Sequence, residues 1–184
     1  SDAVSICATC PNSQRKLAWT LSQYGQSYSP GGLYQLVYSS GGKVWYTSST
    51  DSGRTWKPER FIADGMYPSI AADTNGAYVV LNDAGTVHVF KYADSGMVAD
   101  LSIPGDYASV EAAPVVSFNN AALLVVFEKS NGKLKYDYFW DDVLMEMGEV
   151  PVAGDVWPAM RPSLSKTGTS QFGLAWVEEQ DRAV

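Results

Sequence analysis

The chain has 184 residues, a formal net charge of −7 and a pI of about 4.6. This acidic balance argues against nucleic acid or an anionic membrane as the main partner, because both are negatively charged. No apolar run approaches the roughly 20 residues needed to cross a bilayer. The length is enough for one domain with a substantial core. The aromatic content is 12%, and β-strands favour aromatic residues.

The first feature in chain order is the cysteine pair Cys7 and Cys10 in CATCP. Three states stay open: a local disulfide of the kind found in secreted proteins, two free thiols, or half of a metal site. A redox motif is disfavoured because no helix or βαβ pattern follows. A zinc site needs two more ligands, and His88 is the only histidine. We therefore expect no metal and no other cofactor.

Strand-like runs bounded by Gly, Asn, Asp or Pro follow, and helical periodicity is nearly absent. Three hairpins with small polar turns are predicted: LYQLVYSS with GGKVWYTSS, AYVVLND with GTVHVFKY, and ALLVVFEKS with GKLKYDYFW. Their turn glycines, Gly42, Gly85 and Gly132, are spaced by 43 and 47 residues. A second marker, Pro68, Pro114 and Pro162, recurs at spacings of 46 and 48 residues. Two markers in register indicate an internal repeat.

Each repeat unit is predicted to contain a strand near the proline, a hydrophobic strand, an aromatic strand and an outer strand. Four antiparallel strands in about 45 residues is the size of a β-propeller blade. The predicted blades are roughly 15–63, 64–106 and 107–153, with a half blade at 158–184. The predicted fold is therefore all-β, a propeller with about three and a half blades present; the alternative is a β-sandwich. Since closed propellers have roughly 4 to 8 blades, we expect a longer propeller or completion by a second copy.

The stretch STDSGRTW, residues 49–56, is the most specific motif in the chain. Its Ser49, Asp51, Gly53, Thr55 and Trp56 match the Asp-box, or BNR repeat, written S-x-D-x-G-x-T-W. The chain thus resembles the sialidase-like family of β-propellers, in which this box forms the turn between the third and fourth strands of a blade. The aspartate is expected to accept backbone hydrogen bonds, the glycine to supply positive φ and the tryptophan to pack between neighbouring sheets.

The resemblance implies a site on the face opposite the Asp-boxes, at the turns between second and third strands and at the links between blades. Carboxylates available there are Asp64, Asp83, Asp106, Glu111, Glu128, Asp155, Glu178 and Glu179. Ligand-binding candidates are Tyr67, Tyr107, Trp157 and Arg161, since aromatic rings stack on the apolar faces of sugars. The alternative for the rings is packing between adjacent inner strands, and for Arg161 it is a solvated or ion-paired surface position.

The catalytic apparatus of a sialidase is not complete in this sequence. Such an enzyme needs three arginines for the substrate carboxylate, a Tyr–Glu nucleophile pair and an Asp acid/base. The chain has five arginines, of which only Arg161 and Arg182 belong to the expected face. The catalytic candidates are therefore Arg161, Asp64, Asp106 and Glu111. His88, within an alternating strand, is expected to face a neighbouring sheet.

These patterns predict a secreted or cell-surface Asp-box propeller module that binds glycan or protein and is noncatalytic by itself. The location is inferred from the composition, the cysteine pair and the resemblance. One alternative is part of a sialidase-like glycoside hydrolase whose remaining catalytic residues lie outside this chain. Another is an assembly subunit that completes its propeller by oligomerisation. Expected partners are the ligand and either the remainder of the propeller or a second copy, without nucleic acid or a membrane span.

Overall fold

The computed structural model describes residues 16–20, 32–73, 76–93, 96–103, 108–110, 112–119, 121–151, 162–168 and 171–176. These segments form fourteen β-strands and no helix, which confirms the all-β prediction. The model therefore contains no helix that could cross a membrane in the part of the chain it describes.

The strands form three four-stranded antiparallel sheets and one two-stranded sheet, each connected in chain order. The first sheet contains β1 (Leu17–Thr20), β2 (Leu33–Ser40), β3 (Lys43–Ser49) and β4 (Arg60–Asp64). The second contains β5 (Met66–Asp73), β6 (Gly76–Asp83), β7 (Thr86–Ala93) and β8 (Gly96–Asp100). The third contains β9 (Val115–Asn119), β10 (Ala122–Glu128), β11 (Leu134–Trp140) and β12 (Val143–Glu149). The fourth contains β13 (Ser163–Gly168) and β14 (Gln171–Ala175).

The outer strand of the first sheet is shorter than the sequence predicts. The run TWKPERFIA, which begins at Thr55, is the predicted outer strand of the first unit, whereas β4 begins at Arg60. The intervening residues belong to the turn, because the Lys57 N–H donates to the Ser48 carbonyl at 2.8 Å. The hydroxyl of Thr47 in turn donates to the Lys57 carbonyl at 2.7 Å. Both backbone groups of Lys57 are thereby bonded to β3, one of them through a side-chain hydroxyl, so they are satisfied without a regular strand ladder.

The sheets pack face to face in chain order, each through alternate side chains of its strands. Three clusters of buried apolar residues fill the three interfaces. The first and second sheets share Val37, Val44, Tyr46, Ile70, Val79 and Phe90. The second and third share Val80, Val87, Val89, Val116, Val125 and Phe127. The third and fourth share Val115, Val126, Leu134 and Leu164.

The inner edges of the sheets lie together. The first strands β1, β5, β9 and β13 contact one another in that order, whereas β4, β8 and β12 make their main contacts within their own sheets. The sheets therefore converge at their first strands and diverge toward their outer strands. This arrangement is consistent with a propeller-like fold, although the segments described above do not form a closed ring.

Asp142 links the second and third sheets by polar contacts. It follows β11 in a turn where Asp141 (φ 47°) and Asp142 (φ 64°) both have positive φ, as a tight two-residue hairpin turn requires. Its carboxylate accepts a hydrogen bond from the Tyr78 hydroxyl at 2.8 Å. It also forms an ion pair with Nζ of Lys91 at 2.5 Å, and that amine lies 5.3 Å from the centroid of the Tyr78 ring. The turn of one sheet is thereby fixed to the face of the previous one.

We expect Asp142→Asn to lower the free energy of unfolding by about 1 to 2 kcal/mol, because it weakens hydrogen bonds to a charged acceptor. Asparagine tolerates positive φ, so the turn itself is retained. Urea denaturation monitored by tryptophan fluorescence measures the change. The matched control is Asp141→Asn in the same turn; an equal loss in both variants would show that the contact between the sheets contributes nothing.

Candidate functional site

The Asp-box residues form the turn between β3 and β4, at one end of the first sheet. Asp51 accepts the Thr55 N–H at 2.8 Å through Oδ1 and the Thr55 hydroxyl at 2.6 Å through Oδ2. The Ser49 hydroxyl donates to Asp51 Oδ1 at 2.8 Å and accepts the Gly53 N–H at 3.0 Å. Gly53 has a φ of 82°, a conformation that glycine adopts without steric cost. One carboxylate and one hydroxyl therefore close the turn.

The same hydrogen bonds keep Asp51 ionised. They lower the pKa of its carboxyl from an ordinary value of 3.8 to about 2, with the Thr55 hydroxyl as the largest cause. The Thr55 N–H and the Ser49 hydroxyl act in the same direction. A carboxyl with such a low pKa is poorly suited to donate a proton near neutral pH. Asp51 therefore acts as a hydrogen-bond acceptor that stabilises its own turn.

The folded pKa of Asp51 lies below the unfolded value, so its ionised form stabilises the fold above about pH 4. That contribution is lost as the pH falls toward about 2. We expect Asp51→Asn to be less stable than the parent at neutral pH, with the difference shrinking across this range. Thermal unfolding of both proteins at a series of pH values measures the difference. Asp64→Asn, an exposed carboxylate at the other end of the first sheet, is the control, and a pH-independent difference for Asp51→Asn would contradict the prediction.

Trp56 lies at the end of the stack of sheets and not between two described sheets. It is 40% exposed and borders, with Leu36 and Thr47, a groove of about 470 Å³. This groove is on the face of the first sheet that points away from the second, because the alternate residues Val37 and Tyr46 pack against the second sheet. The packing that the sequence predicts for Trp56 therefore requires a sheet other than those described.

The opposite end of the sheets carries the link between β4 and β5. The Gly65 N–H donates to the Gly42 carbonyl at 2.8 Å, which holds this link against the turn between β2 and β3. A Cβ at Gly65 would lie 2.7 Å from Cδ1 of Leu81 and 2.8 Å from the Asn82 carbonyl oxygen. Glycine is therefore required for the close approach of the link to the second sheet. Asp64, just before it, is exposed.

Tyr67 has the most strained backbone at this end. Its φ is 53°, a conformation that is unusual for a bulky residue and further disfavoured before proline. The register between β5 and β6 shifts between Met66 and Ser69, so Tyr67 and Pro68 form a bulge. The ammonium of Lys16 donates to the Pro68 carbonyl. Since strained backbone clusters at binding and catalytic sites, half-buried Tyr67 is the described residue that best marks a candidate site.

Asn82 fixes a second segment at the same end, and the sequence patterns did not single it out. Its side chain is 2% exposed and donates from Nδ2 to the carbonyls of Ser109 and Ala112, each at 2.8 Å. Its Oδ1 accepts the Gly85 N–H at 2.7 Å. The turn between β6 and β7 is thereby joined to the loop leading to the third sheet. An amide at the end of an otherwise apolar strand, in VVLND, was the available signal.

Most of the remaining predicted site residues lie outside the described segments. These are Cys7, Cys10, Asp106, Tyr107, Glu111, Asp155, Trp157, Arg161, Glu178, Glu179 and Arg182. The state of the two cysteines therefore stays a prediction. A binding surface that Tyr67 shares with Tyr107 and Trp157 also stays a prediction.

The remaining described carboxylate candidates are Asp83 and Glu128. Asp83 is exposed beside the turn between β6 and β7, and Glu128 is 3% exposed at the end of β10. No group of three or more His, Cys, Asp or Glu residues suited to a metal occurs in the described part of the chain. His88 is half-buried and stacks on Phe90 at 5.7 Å between ring centroids, on the face of the second sheet that packs against the first.

No protein-family model matches the chain, and no curated protein matches it significantly. The resemblance to Asp-box propellers therefore rests on residues 49–56 and on the internal repeat.

Proposed function

We propose that this chain is a secreted or cell-surface Asp-box propeller segment, sialidase-like in architecture, that binds a glycan and is noncatalytic by itself. The architecture is supported by the hydrogen-bonded Asp51 turn, by the meandering four-stranded sheets and by the convergence of their first strands. The remainder of the propeller or a second copy completes it. The ligand-binding end is the one that carries Tyr67, opposite the Asp-box.

The backbone of Tyr67 is the observation that carries the binding proposal. A tyrosine held at a φ of 53° before a proline has a stability cost, and such costs persist where the conformation serves a site. Its ring is only half-buried, so one part is available for stacking on the apolar face of a sugar. The Lys16 ammonium at the Pro68 carbonyl and the exposed Asp64 carboxylate provide polar groups for hydroxyls around the ring.

The noncatalytic part of the proposal follows from the arginines. The two that the structure describes, Arg54 and Arg60, lie in the Asp-box and at the start of β4, away from the Tyr67 end. A sialidase site needs several guanidinium groups around the substrate carboxylate, because only they match its geometry bidentately. The described residues of the Tyr67 end supply carboxylates and an amine but no guanidinium.

We expect Tyr67→Asn to weaken glycan binding at least tenfold, which corresponds to about 1.4 kcal/mol, because it removes the stacking ring. Asparagine tolerates positive φ, so the bulge is preserved and the folded state is retained. Saturation-transfer NMR and calorimetry with sialyllactose, lactose and N-acetylglucosamine oligomers measure binding. Tyr67→Phe keeps the ring and should retain most of the affinity.

Trp140→Asn is the control for loss of an exposed aromatic residue elsewhere, since Trp140 is 41% exposed on the third sheet. Equal losses in the Tyr67 and Trp140 variants would contradict a site at Tyr67. No binding to any of these sugars, together with capture of a protein ligand that depends on Tyr67, would replace the glycan with a protein. Hydrolysis of a fluorogenic sialoside by the chain alone would contradict the noncatalytic assignment.

A further inference from the structure

The first sheet exposes a large apolar surface on the side away from the second sheet. We call this surface the open face; it is formed by Leu17, Trp19, Leu36, Trp56 and Phe61. Four of these side chains are 40% to 49% exposed, and the register places Leu17 opposite Leu36 and Phe61 opposite Trp45 on the same side. Contiguous apolar surface of this kind marks an interaction site in a soluble protein.

The corresponding positions of the second sheet show what covers such a face. When the turn glycines Gly42 and Gly85 are aligned, Leu36 corresponds to Val79, and Val79 is fully buried against the first sheet. On the third sheet, Phe127 is likewise fully buried against the sheet before it. The open face therefore occupies the position at which the later sheets receive the sheet before them.

The other end of the stack exposes the opposite kind of face. Ser163 and Ser165 stand one and three residues after the proline of their unit, and both are exposed. The residues at these two positions are Ser69 and Ala71 in the second unit, and Val115 and Ser117 in the third. All four are at most 2% exposed, and Ala71 and Val115 pack against the following sheet. We call the surface of Ser163, Ser165, Gly173 and Ala175 the far face of the fourth sheet.

We propose that the open face of the first sheet binds the far face of the fourth sheet of a second copy of this chain. In this contact, bulky aromatic side chains on the open face meet small side chains on the far face. Both faces are exposed in one copy, so the two faces of the same copy do not cover each other. Two copies joined twice in this way would give about eight sheets, within the usual range for propellers. The inference rests on the propeller architecture proposed above and is independent of glycan binding.

The contact is head to tail, so its two faces can be tested separately. We expect the parent chain to form a dimer in sedimentation velocity and light scattering over a wide range of concentration. Trp19→Ser with Phe61→Ser should weaken association at least tenfold, because aromatic anchors dominate such interfaces. Ser165→Arg, on the far face of the fourth sheet, should weaken it similarly. Val143→Ser with Met145→Ser is the matched control, since these side chains are 60% and 62% exposed on β12.

Mixing the open-face variant with Ser165→Arg gives the sharpest result. Each variant retains the face that the other lacks, so the mixture should form a dimer although neither variant does alone. Circular dichroism of each variant checks that it folds, and Phe61→Ser alone provides a milder change. Each copy carries a net charge of −7, so salt should strengthen the association by screening the repulsion.

A parent chain that stays monomeric at all concentrations, with intact circular dichroism, would overturn the proposal. So would a dimer that is lost in the open-face variant, unaffected by Ser165→Arg and not restored by mixing, because that pattern indicates two open faces paired with each other. The sugar titration of Tyr67→Asn is separate from these measurements. Loss of sugar binding without loss of the dimer, or the reverse, distinguishes a failure of one proposal from a failure of the other.

Discussion

The second and third sheets of this chain are buried on both faces of their central strands, and this constraint determines how the sheets can be arranged. An antiparallel sheet with one solvated face shows strict alternation of buried and exposed side chains. In β6, by contrast, six consecutive residues from Ala77 to Asn82 are buried, and β10 is nearly the same. Sheets of this kind must be covered on both sides, which requires a stack in which each sheet lies between two others. The first and fourth sheets each leave one face uncovered in the described stack, and on the first sheet that face is apolar.

The sequence predicts the parts of this fold that depend on local signals. Runs such as AYVVLND and ALLVVFEKS identify the central strands, and small polar turns such as the one at Gly85 identify the hairpins, because these features act within a few residues. The outer strand β4 was predicted less well. Its beginning at Arg60 depends on how far the Asp-box turn extends, and the hydrogen bonds of Lys57 that settle this are not visible in the hydrophobic pattern.

Contacts between repeat units could not be predicted from the sequence. The sequence predicts only that Asp142 is a turn residue, yet its carboxylate contacts Tyr78 and Lys91 of the previous sheet. The sequence predicts only that Asn82 ends a strand, yet its side-chain amide forms a hydrogen bond with a loop roughly thirty residues further along the chain. Neither partner can be found without the arrangement of the sheets. The same applies to Tyr67, whose chemical type suggests a site but whose strained backbone emerges only from the register shift of β5 against β6.

The two ends of the sheets differ in the use they make of polar groups. At the Asp-box end, Asp51 directs its carboxylate to the backbone and hydroxyl of its own turn, and Asp142 directs its own to a neighbouring sheet. At the opposite end, Asp64 and Asp83 are exposed and Asn82 holds the backbone around them. Polar groups committed to the protein itself stabilise the fold, whereas exposed groups on a rigid support are available to a ligand. The chemistry of this chain is therefore to be sought where the carboxylates are not already used by its own backbone.

The convergence of the first strands also restricts what can cover the open face of the first sheet. The interfaces within the chain are in contact along β1, β5, β9 and β13, so successive sheets are splayed by a similar geometry. Within the chain, the inner-strand residues Ser69, Ala71 and Ser117 are small and buried where one sheet of the repeat packs on the next. The second copy proposed above would supply a sheet of this kind.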